Sequence, residues 1–302
     1  MSTITKQLPF TGERFTPECV REIAYEHWHR YAWVTALTNG KNVLDVACGE
    51  GYGSYLLAEE AHSVTGIDVD AEAVKHAQRR YIRPNLEFVQ ADALSLPVES
   101  GSIDIIVSFE TIEHLDNHDA LLTEFRRVLH PRGKLVLSSP DKASYSDDSG
   151  YSNPFHVREL YRAELEELLE RHFENHYLFA QKLLFASAIW PLSENMDSTV
   201  EKANWLTLDE GRVDVTDVPR YVPQYFLAIA TMSKESDPAQ GLSLYSDIEE
   251  SVYQHYRAEI QHHISSADLL SDLEQEISIL KAKLEKSWWH RFRSLFGVWL
   301  DK

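Results

Sequence analysis

The chain has 302 residues, of which 43% are hydrophobic, so it can bury one large core with enough left over for a second, smaller element. Its formal net charge is -19, from 29 Lys and Arg residues against 48 Asp and Glu residues. That charge repels nucleic-acid backbones and excludes a long nucleic-acid-binding track.

Short apolar segments alternate with segments of helical periodicity from residue 42 onward. The apolar segments predict strands at Asn42–Val46, Ser63–Asp68, Leu86–Gln90, Ile103–Phe109 and Lys134–Ser139. The segments between them predict helices at Tyr52–Glu60, Ala71–Arg80 and Asn117–Leu129. Such alternation is typical of a parallel sheet with crossover helices, so we expect a doubly wound, mostly parallel α/β fold.

The second half of the chain predicts further elements and a tail. A polar loop at 141–153 precedes a predicted helix at Arg158–Arg171 and two strands, near Tyr177–Gln181 and at Tyr225–Thr231. Residues 183–222 lack a clear period, which predicts an inserted lid. Residues 233–247 are rich in Ser, Asp, Pro and Gly and predict a linker. We therefore expect a catalytic domain at 1–232 and a helical tail at 248–302.

The strongest local motif is a predicted strand that runs through a glycine turn into a helix, at residues 43–53. Gly49 and Gly51 allow the backbone to approach a ligand closely, and the helix N-terminus offers unpaired amides. A nicotinamide-binding turn would have glycine where this chain has Ser54. Here an acid, Asp45, lies near the end of the strand, ahead of the glycines.

This motif resembles motif I of class I S-adenosylmethionine-dependent methyltransferases, with Ala47 in place of the first glycine. The resemblance implies a seven-stranded methyltransferase sheet and S-adenosyl-L-methionine as the cofactor. It implies that Asp45 helps to hold the methionine amino end, that Asp68 binds both ribose hydroxyls, and that the loop at 90–93 contacts adenine. The implied cofactor-binding residues are Asp45, Ala47, Gly49, Gly51, Asp68, Val69, Asp92, Ala93, Phe109 and Arg30.

Single members of this set also have structural interpretations. Asp68 could be a helix cap and Asp92 a turn residue. Acids at the ends of three successive predicted strands nevertheless favour a cofactor site, because ligands of open α/β sheets bind at that edge.

Four further segments, at 10–18, 27–31, 109–115 and 153–160, resemble bacterial methyltransferases of surface-glycan gene clusters, including the methyltransferase part of O-antigen chain-terminating enzymes. This resemblance covers about residues 8–232. It implies an O-methyltransferase acting on a hydroxyl or phosphate of a surface-glycan sugar or its lipid-linked precursor, as a chain-terminating cap. Arg14 and Arg30 would then contact the cofactor carboxylate or the acceptor, although Arg30 could instead be a surface partner of a Glu.

Other acceptors and another class of protein are also compatible with the sequence. The acceptor could be a quinone, a natural-product sugar or an RNA end. A scaffold protein that kept the fold and lost the chemistry is a third hypothesis, against which the retained motif residues argue. Fold alone does not fix the acceptor.

The candidate catalytic residues are Glu110, Glu113, His114 and His156. The first three follow the fourth predicted strand, where a general base is needed, and we consider His114 the candidate base. Together the four resemble the Glu-x-x-Glu-His plus His pattern of magnesium-dependent small-RNA 2′-O-methyltransferases, which implies a site for Mg²⁺ or Mn²⁺ at all four. A third interpretation is structural, in which Glu113 and His114 merely start a helix.

The tail carries two patterns of its own. Leu270, Leu273, Ile277, Leu280 and Leu284 follow heptad spacing, so residues 266–286 predict a coiled coil and a homo-oligomer. Residues 281–302 contain six basic residues against two acidic ones. With the aromatic residues at 287–302, they predict peripheral attachment to the cytoplasmic membrane face or a membrane glycan-assembly complex. Alternatively, the aromatic face packs on the catalytic domain or on a second copy.

Cysteine content and hydropathy predict the compartment. Cys19 and Cys48 are too few for a disulfide framework or a thiolate zinc site. No sequence window is apolar enough to span a membrane, and residues 1–11 lack the pattern of a signal peptide. We therefore expect a cytoplasmic protein.

Overall fold

A computed structural model of the chain describes Thr16 and residues 22–187, 205–209, 212–233 and 241–296. The chain divides into two compact units, Met1–Ser246 and Asp247–Lys302. The first unit contains the sheet and the second contains one long helix.

A seven-stranded sheet organises the first unit. Its spatial order is β3-β2-β1-β4-β5-β9-β6, and the first five strands in this order are parallel. β9 is antiparallel to both of its neighbours. The strands are β1 (Asn42–Val46), β2 (Ser63–Asp68), β3 (Leu86–Gln90), β4 (Ile103–Ser108), β5 (Leu129–Pro140), β6 (Asn175–Gln181) and β9 (Tyr225–Thr231). The predicted fold class, a doubly wound and mostly parallel methyltransferase sheet, is confirmed.

The helices of this unit are α1 (Glu22–Thr35), α2 (Tyr52–Leu57), α3 (Ala71–Arg80), α4 (His118–Val128) and α5 (Arg162–His172). Side chains fix two of their starts: the Asp70 carboxylate accepts from the amide of Glu72, and the Asn117 side chain accepts from that of Ala120. Two shorter turns, a 3₁₀ turn at Ile112–His114 and a π turn at Ala143–Asp147, lie beyond the carboxyl ends of β4 and β5.

The core lies on both faces of the sheet because neighbouring strand residues point to opposite sides. On β1, Val43 packs into the cluster on one face and Leu44 into the cluster on the other. Val107 and Ile106 on β4 follow the same alternation. Burial on both faces explains why these strands are nearly continuously apolar.

The structure corrects two of the predicted boundaries. The helix predicted from Arg158 begins at Arg162, because the amides of Val157 and Arg158 donate to the carbonyl of Glu113 instead of entering a helix. Within 183–222, predicted to lack a pattern, β7 (Trp205–Asp209) and β8 (Arg212–Thr216) form an antiparallel hairpin. Residues 188–204 lie outside the described residues.

The second unit contains helix α6 (Ser251–Phe296), 46 residues long. The Asp247 carboxylate accepts a hydrogen bond from the Ser251 amide at 2.9 Å, which closes the turn that precedes α6. Among the described residues, no helix is both long and apolar enough to cross a membrane. The side chains of 285–296 and residues 297–302, which carry the predicted aromatic face, lie outside the described residues.

Candidate functional site

The turn after β1 adopts a left-handed backbone at three positions. Ala47 has φ 61°, Gly49 φ 56° and Gly51 φ 95°. A Cβ atom on Gly51 would lie 2.8 Å from both Ala77 and Phe88, so only glycine fits between α3 and β3 at this point. Ala47, which replaces the family glycine, keeps the glycine-type backbone with a side chain that disfavours it.

Asp45 is enclosed behind this turn. Its carboxylate accepts hydrogen bonds from the Tyr31 hydroxyl at 3.1 Å and the Ser54 hydroxyl at 2.6 Å. Burial raises the pKa of Asp45 to about 7, against the opposing effect of these two hydrogen bonds. The side chain expected to hold the methionine amino end thus ties α1 and α2 to β1, and both of its oxygens are already engaged.

Asp68 and Asp92 end the next two strands at the same edge of the sheet. Asp68 accepts from the amides of Gly49 at 2.8 Å and Asp70 at 2.9 Å, so it also fixes the glycine turn. Asp92 is exposed and accepts from the Leu94 amide at 2.9 Å. Val69 is exposed beside them. This edge follows the switch point between β1 and β4, where ligands of doubly wound sheets bind.

A buried cluster around Glu50, which the sequence patterns did not predict, connects the glycine turn to α3. The Glu50 carboxylate contacts His76 Nε2 at 3.0 Å, the Arg80 guanidinium at 2.7 Å and the Tyr81 hydroxyl at 2.8 Å. Burial raises the pKa of Glu50, and the Tyr81 hydrogen bond opposes the shift. The spacing of His76, Arg80 and Tyr81 on one face of α3 is the sequence signal that indicates this cluster.

Arg30 projects from α1 into the interior and is only 1% exposed. Its Nε donates to the Gln181 side chain at 2.7 Å, and its guanidinium lies over the Tyr225 ring at 4.3 Å from the centroid. One terminal nitrogen lies 3.2 Å from a Glu110 oxygen as an ion pair. Among the described residues, neither terminal nitrogen has a hydrogen-bond partner. The alternative interpretation of Arg30 as a surface partner of a glutamate is right about the glutamate, Glu110, but wrong about the surface, because the side chain is buried.

Glu113, His114 and His156 come together beyond the ends of β4 and β5. One ligand-type atom from each lies within 4.8 Å of the others. His114 Nδ1 lies 3.0 Å from the Phe155 carbonyl, and His156 Nδ1 lies 2.6 Å from a Glu159 oxygen. The loop after β5 and the turn after β4 thus form one site, as the sequence hypothesis required.

The Glu113 carboxyl group is fully buried, and neither of its oxygens has a hydrogen-bond partner among the described residues. Burial raises the pKa of Glu113 well above its ordinary value, and the nearby Glu110 charge adds to the shift. Buried polar groups normally have hydrogen-bond partners. The unpartnered carboxyl group of Glu113 therefore indicates that it binds a ligand or carries a proton as part of its function.

Glu110 does not belong to this cluster. Its backbone has φ 48°, and its carboxylate accepts from the Ser138 hydroxyl at 2.6 Å and pairs with Arg30. The expected four-ligand set therefore reduces to three residues. The structural interpretation of Glu113 and His114 as a helix start is also corrected, because both lie in the separate 3₁₀ turn and Asn117 caps α4.

The rings of Tyr145, His156 and His114 pack in series. Tyr145 stacks on His156 with ring centroids 5.4 Å apart, and His114 meets His156 edge to face at 5.1 Å. Burial raises the pKa of Tyr145 to about 12, so this hydroxyl stays protonated at neutral pH. Phe109, predicted to line the cofactor pocket, is buried against Tyr31.

The sequence of the first unit is similar to those of known methyltransferases. A family profile described as a methyltransferase domain matches residues 44–137. Residues 44–137 therefore carry a methyltransferase domain. The chain is 37% identical over 175 residues to a protein of Mycolicibacterium smegmatis named as a probable S-adenosylmethionine-dependent methyltransferase, a match that covers 56% of this chain and 66% of that protein.

Two further similarities are narrower. A phthiotriol/phenolphthiotriol dimycocerosates methyltransferase of Mycobacterium leprae is 37% identical over 113 residues, which are 37% of this chain and 42% of that protein. A crystal structure of a methyltransferase from Thermotoga maritima aligns with a TM-score of 0.47 and 15% identity, covering 68% of this chain and 89% of that one. The chain thus spans less than two thirds of the length of these curated relatives.

Proposed function

We propose that the chain transfers the methyl group of S-adenosyl-L-methionine to an oxygen acceptor, with His114 as the general base. The observation that carries the proposal is the placement of His114 and His156 beyond the ends of β4 and β5, at the same edge as Asp68 and Asp92. Cofactor and acceptor would then meet across the switch point of the sheet.

The hydrogen bond of His114 supports its role as a base. The Phe155 carbonyl can only accept, so Nδ1 of His114 carries the proton and donates it to that oxygen. Nε2 then carries the lone pair that can take a proton from a hydroxyl. Methyl transfer is an in-line displacement, for which the acceptor oxygen must lie roughly 3 Å from the methyl carbon in a site that excludes water.

Arg30 is the candidate for binding the cofactor carboxylate. Its guanidinium is buried and forms an ion pair with Glu110 at 3.2 Å, but its terminal nitrogens have no hydrogen-bond partner among the described residues. A planar guanidinium matches a carboxylate through two parallel hydrogen bonds, which are stronger when water is excluded.

Glu113, His114 and His156 also fit a divalent cation, Mg²⁺ or Mn²⁺, in part. The unpartnered carboxyl group of Glu113 suits a cation, whereas the nitrogens of His156 already contact Asn153 and Glu159. A bound cation would supply Lewis-acid polarisation of an acceptor hydroxyl. Glu113 would have to lose its proton for such binding, which makes the site pH-dependent.

The proposed acceptor is a hydroxyl or phosphate of a surface-glycan sugar or its lipid-linked precursor. The resemblance of residues 109–115 and 153–160 to glycan methyltransferases supports it, as does the Tyr145 ring beside His156, which suits a sugar ring. A second candidate is an alcohol of the phthiotriol type, supported by the name of the Mycobacterium leprae relative. We place the protein in the cytoplasm, peripheral to the membrane.

An acceptor screen with methyl-labelled cofactor tests the proposal. We expect label on an oxygen, and we expect His114→Gln to reduce turnover about 100-fold or more while cofactor affinity stays within about twofold. His62→Gln, a change at an exposed histidine outside the site, is the matched control and should leave turnover intact. Label found only on nitrogen or carbon, or equal turnover of the two variants, would contradict the proposal. Excess chelator distinguishes the general-base mechanism from the metal mechanism, because the enzyme loses turnover in chelator only if a metal is required.

A further inference from the structure

One face of α6 carries large apolar side chains in contact with solvent. The apolar stripe consists of Leu270, Leu273, Ile277, Leu280 and Leu284, all of which are exposed. Their spacings of three and four residues keep them on one side of the helix over two heptads. Contiguous exposed apolar surface of this kind marks an interaction site.

The order of residue types along the stripe suits pairing of two helices. With Leu270 at position a of the heptad, Ile277 falls at the next a, while Leu273 and Leu280 occupy the d positions. Ile277 is the β-branched residue at the central a position, between Leu270 and Leu284 at the outer a positions, and with leucine at both d positions it favours two strands. The polar residues around the stripe keep the opposite face of the helix in water.

The charges beside the stripe fit a second copy of the same helix. Glu274 and Glu276 flank the first heptad, whereas Lys281 and Lys283 occupy the matching e and g positions of the second. In a parallel pair, Glu276 faces the partner's Lys281; in an antiparallel pair, Glu274 can face the same residue. Opposite charges therefore meet in either direction. An anionic membrane would attract the two lysines but repel the two glutamates, so the mixed charges fit a second copy of the helix better than a membrane.

We infer that the apolar stripe of α6 is the seam of a two-stranded coiled coil formed with a second copy of this chain. Pairing would cover the five aliphatic side chains of each helix and bring unlike charges together along both edges. The stripe extends over about 21 Å of helix, at 1.5 Å per residue. The seam would join two methyltransferase units in one dimer, independently of the acceptor proposed above.

Two isoleucines on the same helix provide a matched test. Ile277, at the centre of the stripe, is 51% exposed, and Ile279, two residues later and off the stripe, is 53% exposed. Sedimentation equilibrium of the full chain should show a dimer. Ile277→Ser should raise the dimer dissociation constant about 100-fold or more, because each dimer loses two seam side chains. Ile279→Ser should change it less than about threefold.

Charge reversal gives a second test that leaves the apolar stripe intact. Glu276→Lys places lysine beside a lysine of the partner in either orientation and should weaken the dimer about tenfold or more. Asp272→Lys makes the same change of charge at an exposed outward position and should have little effect. Helix content measured by circular dichroism should stay unchanged in all four variants.

Three results would overturn the inference. The first is a parent chain that stays monomeric at all concentrations up to about 100 μM, which is about 100 times a dissociation constant of 1 μM. The second is equal weakening by Ile277→Ser and Ile279→Ser, which would show that position on the helix does not matter. The third is a monomer whose stripe amides are strongly protected from hydrogen exchange, because the stripe would then be covered by its own chain.

Discussion

Replacing Glu113 by glutamine should make the protein more stable and less active. The Glu113 carboxyl group is fully buried without a hydrogen-bond partner among the described residues, and its pKa is raised well above the ordinary value. Glutamine has nearly the same shape as the protonated acid but cannot ionise. The variant therefore keeps the packing and removes the titration.

The magnitude follows from the linkage between protonation and folding. Above the ordinary carboxyl pKa, the unfolded chain releases the Glu113 proton while the folded chain retains it, so the folded state of the parent loses stability as the pH rises. This loss continues until the pH reaches the raised pKa, at about 1.4 kcal/mol per pH unit. The stability advantage of Glu113→Gln should therefore grow by about 1.4 kcal/mol between pH 5 and pH 6.

Urea denaturation at the two pH values measures this difference. Glu167→Gln serves as the control, because Glu167 is exposed on α5 and its substitution should shift stability little at either pH. A pH-independent difference between Glu113→Gln and the parent would refute the argument. Turnover supplies the functional half of the test: a loss of about 100-fold or more with improved stability identifies Glu113 as a functional group that destabilises the fold.

Three further predictions concern the cofactor edge and the tail. Asp68→Ala should reduce cofactor affinity about tenfold or more in calorimetry, because it removes the carboxylate that also holds the Gly49 amide; unchanged affinity would remove Asp68 from the site. Ala47→Gly should raise the melting temperature by about 1–4 °C, since relief of a left-handed alanine outweighs the added chain entropy; a fall would contradict this. Deleting residues 287–302 should leave methyl transfer intact and reduce sedimentation with anionic vesicles. Equal vesicle binding by the truncated and the full-length chain would contradict the membrane proposal.

The sheet was predictable because its strands are apolar on both faces. β1 and β4 are recognisable as buried strands between helical segments, and their parallel pairing follows from the crossover connections. The hairpin of β7 and β8 was not predicted, although apolar residues alternate with their neighbours at 206 and 208 and at 213 and 215. Each strand has only five residues, and the apolar side chains of Leu206, Val213 and Val215 are exposed, so neither length nor burial distinguishes them from a loop.

The site was predictable as a location but not in its contacts. The acids at the ends of β1 and β2 were identified from the glycine motif, yet only the fold shows that Asp45 points inward to Tyr31 and Ser54. The cluster around Glu50 depends on a helix face on α3 that meets a turn about 25 residues earlier. The spacing on α3 indicates a shared helix face, but it does not identify Glu50 as the residue that this face contacts.

The separation of Glu110 from Glu113 shows how backbone conformation assigns two similar residues to different tasks. On a regular helix, residues three apart would face the same side and their charges would repel. Here Glu110 has a left-handed backbone and turns toward Ser138 and Arg30, whereas the following 3₁₀ turn directs Glu113 into the interior beside His114. Glu110 is thereby held next to a buried cation, while Glu113 has no hydrogen-bond partner among the described residues. The left-handed residue and the 3₁₀ turn thus give one ion-paired carboxylate and one buried carboxyl group whose pKa burial raises well above its ordinary value.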